Sequence, residues 1–150
     1  MALPEAQEPE TRLRVLTILG MLEVNYDAGM ARKTWADGET LAIRQHHYLL
    51  ASRAMGEQGI AAFLLRGIAT ARKNVVKAWF IAKTADPSAH IRYASMYGVG
   101  LLEMHKYKEA LGPLDEATKV AEKTRGAAYP AIAITAKVAK QCCRIWIIQE

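Results

Sequence analysis

The chain is poor in several features whose absence narrows its role. Among 150 residues there are two cysteines, the neighbours Cys142 and Cys143. They stand too close for an ordinary bridge and lack the second pair that a zinc site needs. A reducing compartment fits that usage. No run of eighteen apolar residues occurs, so no membrane-spanning helix is expected. The opening MALPEAQEPE is acidic and proline-spotted, the opposite of a secretory leader. The expected setting is the cytoplasm, away from any membrane. Long basic clusters are missing as well. The net charge of +5 comes from 20 Lys and Arg against 15 Asp and Glu. These are interspersed from Arg12 to Arg144, and the ARK stretches at Ala31 and Ala71 carry two charges each. Nucleic-acid binding, whose signature is a basic face and a steep salt dependence, is therefore disfavoured.

Catalytic spacing is also lacking. There is no GxSxG elbow, no GxxxxGK[ST] phosphate loop, no HExxH and no paired carboxylates on a glycine-framed cleft. His46 and His47 are adjacent, and neighbours on a helix point about 100° apart, so they do not face one ion. His90 and His105 stand alone. No metal, no cofactor and no enzymatic activity are expected.

What the chain does have is repetition. Gly20, Gly59 and Gly98 lie 39 residues apart, each in an apolar stretch: VLTILGMLEV, AMGEQGIAAF and ASMYGVGLLE. Met21, Ile60 and Val99 share one column, and Val24, Phe63 and Leu102 another. Apolar residues recur at three and four spacing, so each period is a pair of helices. DAG after Tyr26, RG after Leu65 and HK after Met104 turn the first helix into the second. RQHH from Arg44, Asp86 with Pro87, and Gly126 with Pro130 separate the pairs. Asp86 is placed to cap a helix whose first residue is Pro87. A glycine inside a helix costs about 1 kcal/mol, which is tolerable where the missing side chain lets two helices approach. Ala71, Ala78, Ala110 and Ala117 serve the same end on the second helices. Arg32 falls in the strict column of Ala71 and Ala110, with Ala31 one place early, so the first repeat has two possible registers.

The expected organisation is all-α: a disordered tail over 1–9, then a single domain over 10–150. That domain holds repeats at about 10–46, 47–86 and 87–126 and a seventh helix over 129–148. Stacked helix pairs of this kind make an α-solenoid. Pro113 should kink or loosen the helix that begins at Tyr107 by removing one backbone donor.

The repeat resembles the tetratricopeptide (TPR) family, most closely in YASMYGVGLLEMHKYKEALGPLDEATKVA. There Gly98, Tyr107, Ala110, Leu114 and Ala117 match the family pattern. Gly67, Ala71, Trp79, Ala82 and Pro87 match in the second repeat, and Trp35 in the first. The period of 39 exceeds the usual 34 of that repeat. Longer helices of this kind resemble the variants found in bacterial regulators and in sensory halves of signalling proteins. The resemblance implies a right-handed superhelix that binds a protein or peptide in a groove lined by first helices.

Within that frame Arg14, Arg53 and Arg92, again 39 apart, are candidates to grip an acidic partner through bidentate hydrogen bonds. Met21, Ile60, Val99, Val24, Phe63 and Leu102 are candidates for an apolar groove floor. The same apolar stripe also suits a helix core. Trp146, Ile147 and Ile148 near the C-terminus are candidates for homo-oligomerisation, since apolar surface at a solenoid end must be covered. The rival functions are a regulatory domain that senses a small ligand or peptide and controls an output domain, and nucleic-acid binding by the basic exterior.

Overall fold

Helices begin nineteen or twenty residues apart along most of the chain, and this spacing organises everything else. The computed structural model describes residues 9–124 and 130–149. Among them every regular element is a helix: α1 (Pro9–Glu23), α2 (Ala28–Arg44), α3 (Tyr48–Leu64), α4 (Ile68–Ala85), α5 (Pro87–Glu103), α6 (Tyr107–Lys123) and α7 (Pro130–Gln149). The expected tail lies outside the described residues apart from Pro9, which opens α1. Gly126 and Tyr129 lie outside them too. The chain divides within α4 into two compact units, one reaching Asn74 and one starting at Val75. In the first, α2 packs against α1 and α3; in the second, α7 packs against both members of the α5–α6 pair.

The helix boundaries have local causes. Asp27 and Asp86 take extended backbone at the N-caps of α2 and α5, and their carboxylates accept from Met30 N at 3.0 Å and Ala89 N at 3.1 Å. Pro87 occupies the first turn of α5, where its missing N–H costs nothing. The turns after α2, α3 and α5 share one geometry. In each, the residue at C′ is left-handed without being glycine: His46, Arg66 and His105, with φ of 59°, 60° and 60°. The amides of His47, Gly67 and Lys106 reach back to Ala42, Ala62 and Leu101 oxygens at 2.8, 2.8 and 2.9 Å. The amides of His46, Arg66 and His105 bond Ile43, Phe63 and Leu102 oxygens. This is the Schellman pattern, which satisfies the last carbonyls of a helix.

Small residues carry the packing. Ala31, Trp35, Gly38 and Ala42 on α2 are buried, as are Ala71, Val75, Ala78 and Ala82 on α4, and Ala110, Leu114 and Ala117 on α6. The three sets superpose in sequence at intervals of 40 and 39 residues, and Arg32 is exposed. The first repeat is therefore one residue out of the strict 39-residue register, and Ala31 is the partner of Ala71 and Ala110. Each set holds one larger residue, Trp35, Val75 or Leu114. A Cβ built on Gly20 would lie 2.6 Å from Trp35 Cε2, and one on Gly98 would lie 2.5 Å from Leu114 Cγ. The first-helix glycine is the socket for the second-helix bulk in both pairs. A fully buried leucine contributes about 2–3 kcal/mol, more than the glycine costs in helix propensity.

Helix α6 runs continuously through Pro113, which is buried on the same side as Leu114 and Ala117. The proline removes the amide that would bond the Glu109 carbonyl, but it does not end the helix.

Candidate functional site

In the first unit, α1 meets the start of α3 at an open groove of about 430 Å³ lined by Leu13, Thr17 and Ile18 with Leu50 opposite, and by Glu10, Arg14 and His47 at its edge. The volume lies within the range of peptide and ligand clefts, roughly 300–1,000 Å³. Leu13 forms the floor, buried against Ala42 and Ala51. Thr17 turns its hydroxyl to the Leu13 carbonyl at 2.9 Å, so it presents its methyl rather than an unpaired polar group. Ile18 is 60% exposed and Leu50 39%. Val15, Leu19 and Leu22 are also exposed, on another side of α1. At the edge, Arg14 Nη2 donates to Glu10 Oε1 at 2.6 Å, a solvent-exposed pair one helical turn apart. Such a pair contributes little to stability, about 0.3–0.5 kcal/mol, and opens at correspondingly small cost.

The three arginines of the column differ in exposure. Arg14 edges the groove, whereas Arg53 and Arg92 are half-buried and already engaged in interactions. The residues of the two apolar columns differ in exposure as well. Met21 is 60% exposed, while Ile60 is buried in α3. Val24 packs against Ala31, Trp35 and Ala54; Val99 and Leu102 pack against the core built on Ala94, Leu101 and Leu114; Phe63 is half-buried. A column that repeats faithfully follows the helix–helix seam as easily as an open face, because duplication preserves both.

The second unit holds a polar cluster that spacing did not disclose. His90 Nε2 on α5 donates to Glu116 Oε1 on α6 at 2.7 Å, and Lys83 Nζ on α4 approaches the same oxygen at 3.0 Å. The lysine also lies 4.8 Å from the centre of the Trp79 ring, which contacts Tyr97. Burial raises the Glu116 carboxyl, but hydrogen bonds from Lys83 and His90 outweigh it and hold the group below the ordinary carboxylate value. Polar partners on three helices make this a clamp between elements. Asp115, next along α6, is bound by Lys119 at 2.6 Å and by Lys140 of α7, which lower its carboxyl to about 2. Among the described residues no group of three or more His, Cys, Asp and Glu is arranged to hold a metal ion.

Two of the histidines have local roles. His46 Nδ1 lies 3.0 Å from the Tyr48 hydroxyl and His105 Nδ1 lies 2.5 Å from that of Tyr107, with the rings edge to face. The shared signal was a histidine two residues before a tyrosine, in HHY and HKY. It recurs after 59 residues, one and a half periods, so a search at whole periods passes over it.

At α7 the three apolar candidates diverge. Trp146 stacks on Tyr107 with ring centres 5.9 Å apart and planes 11° from parallel. Ile147 is half-buried and Ile148 is 84% exposed. The inward side is made of Ala136, Ala139 and Cys143. Burial pushes the Cys143 thiol above its ordinary value, which suits a packing residue and not a nucleophile.

The fold and site together describe an all-helical protein of successive helix pairs with an apolar groove on its first helices. No protein-family model matches the chain, and no curated protein or solved structure matches it either. No helix among the described residues is long and apolar enough to cross a membrane.

Proposed function

We propose that the chain is a tetratricopeptide-like interaction module that binds a protein or peptide segment in the groove between α1 and α3. The observation that carries this reading is the groove itself: an apolar trough between two first helices with one easily opened ion pair at its edge. An apolar segment seated against Leu13, Ile18 and Leu50 supplies most of the binding free energy. An acidic residue of that segment displaces Glu10 and takes a bidentate bond from Arg14. Helix-in-groove recognition of this type needs apolar residues at three and four spacing on the bound segment. Neither a cofactor nor a metal enters this function.

The test is a fluorescently labelled amphipathic helical peptide with an acidic polar face, compared with a counterpart carrying lysines on that face. The acidic peptide should bind saturably. Ile18→Asp with Leu50→Asp should weaken it at least tenfold, and Arg14→Glu should reverse the preference between the peptides. Both apolar positions are exposed, so the variants should keep their helicity. Absence of saturable binding, or affinity indifferent to all three substitutions, overturns the reading.

A further inference from the structure

The outward face of α7 carries Ile134, Val138, Gln141, Ile145 and Ile148, all exposed and separated by four, three, four and three residues. This alternation is the seam of a two-helix coiled coil, in which side chains at such positions insert between those of a facing helix. The opposite face of α7 is already used, since Ala136, Ala139 and Cys143 pack into the core of the second unit. The helix is therefore held in place before any partner arrives, and the ordering cost that makes two heptads marginal in an isolated peptide does not apply.

We propose that α7 is the interface between two copies of this chain, joined by a parallel two-fold along the stripe from Ile134 to Ile148. A second copy fits because the stripe is its own complement, as an isologous contact requires. The exposed fractions of Ile134, Val138, Ile145 and Ile148 amount to at most roughly 500 Å² per copy, so a fully covered pair reaches about 1,000 Å², the lower bound for specific association. One flank of the stripe carries Arg144 and Lys137, the latter paired with Glu122 of α6 at 3.1 Å; the other carries Thr135 and Cys142. A parallel pair sets the basic flank of each copy against the flank of Thr135 and Cys142 in the other. Gln141, in the middle, meets its own counterpart across the axis; a single polar pair of this kind fixes register at a cost in stability. Trp146 lies off the stripe, half exposed and stacked on Tyr107. This interface is independent of the groove on the first unit.

The experiment is sedimentation equilibrium on the full chain, with helicity followed by circular dichroism. Wild type should show twice the 16.6 kDa of one chain. Val138→Glu and, separately, Ile134→Lys should give helical monomers, and Trp146→Lys should remain dimeric. Gln141→Leu should tighten the dimer at least tenfold, a gain that a purely structural role for α7 does not produce. In a Cys142→Ser background, Val138→Cys should form a disulfide-linked dimer on mild oxidation. A monomeric wild type, a dimer that survives both stripe substitutions, or a dimer that Val138→Cys fails to cross-link overturns the proposal.

Discussion

Replacing Gly98 by alanine should destabilise the protein, although the same change in an open helix stabilises it. The added Cβ would stand 2.5 Å from Leu114 Cγ, 2.7 Å from its Cδ2 and 3.3 Å from its backbone nitrogen. Leu114 is fully buried between α5 and α6, and a contact that reaches its branch point and main chain is not relieved by moving a flexible end. Overpacking of this severity costs about 3 kcal/mol, while alanine returns about 1 kcal/mol of helix propensity, leaving a net loss of about 2 kcal/mol. Gly38 is the internal control. A Cβ there meets Leu16 Cβ at 3.9 Å, an ordinary contact, and the matching positions on α4 and α6 are already Ala78 and Ala117. Gly38→Ala should therefore stabilise by about 1 kcal/mol. Urea denaturation followed by far-ultraviolet circular dichroism reads both as midpoint shifts at unchanged slope. Leu114→Ala alone should cost about 3 kcal/mol, and combining it with Gly98→Ala should cost no more than that, a coupling of at least about 2 kcal/mol. If both glycine substitutions stabilise alike, or if the double mutant is additive, the socket argument fails.

Two further outcomes follow from the turns and the charges. Arg66 holds φ of 60° without a compensating side-chain bond to a neighbouring ring, so Arg66→Gly should raise stability by about 1 kcal/mol, measured by the same urea titration. The Asp115 carboxyl is lowered to about 2 from an ordinary 3.8 by Lys119 and Lys140, so its stabilising effect is complete above pH 3.8 and is lost as pH falls towards 2. Asp115→Asn should be less stable than wild type at neutral pH, the gap should close across that acid window, and added salt should narrow it at neutral pH.

Much of the helical scheme was legible in the sequence because glycine and alanine columns report on close approach directly. The helix pairs, the turn after Arg44 and the cap at Asp86 all follow from such local chemistry. The register of Ala31 was not decidable from a strict period, since Arg32 and Ala31 compete for the column and only burial separates them. The site was harder to read for a related reason. Arg14, Arg53 and Arg92 share a column, yet Arg14 is exposed on α1 while Arg53 and Arg92 are half-buried on α3 and α5, a difference that spacing alone does not carry. At α7 the eye is drawn to the run Trp146, Ile147 and Ile148. Consecutive residues point in different directions on a helix, so the outward stripe begins at Ile134 and leaves Trp146 to Tyr107.

The recurring turn after α2, α3 and α5 has a consequence for engineering. Its left-handed position is filled by histidine twice and arginine once, all exposed, while the hydrogen bonds that define it run entirely between backbone atoms. Those hydrogen bonds make no use of the side chain at Arg66, which projects into solvent from a fixed main chain. A fluorophore, cross-linker or affinity tag attached there would report from a known, rigid point without disturbing the packing beneath it.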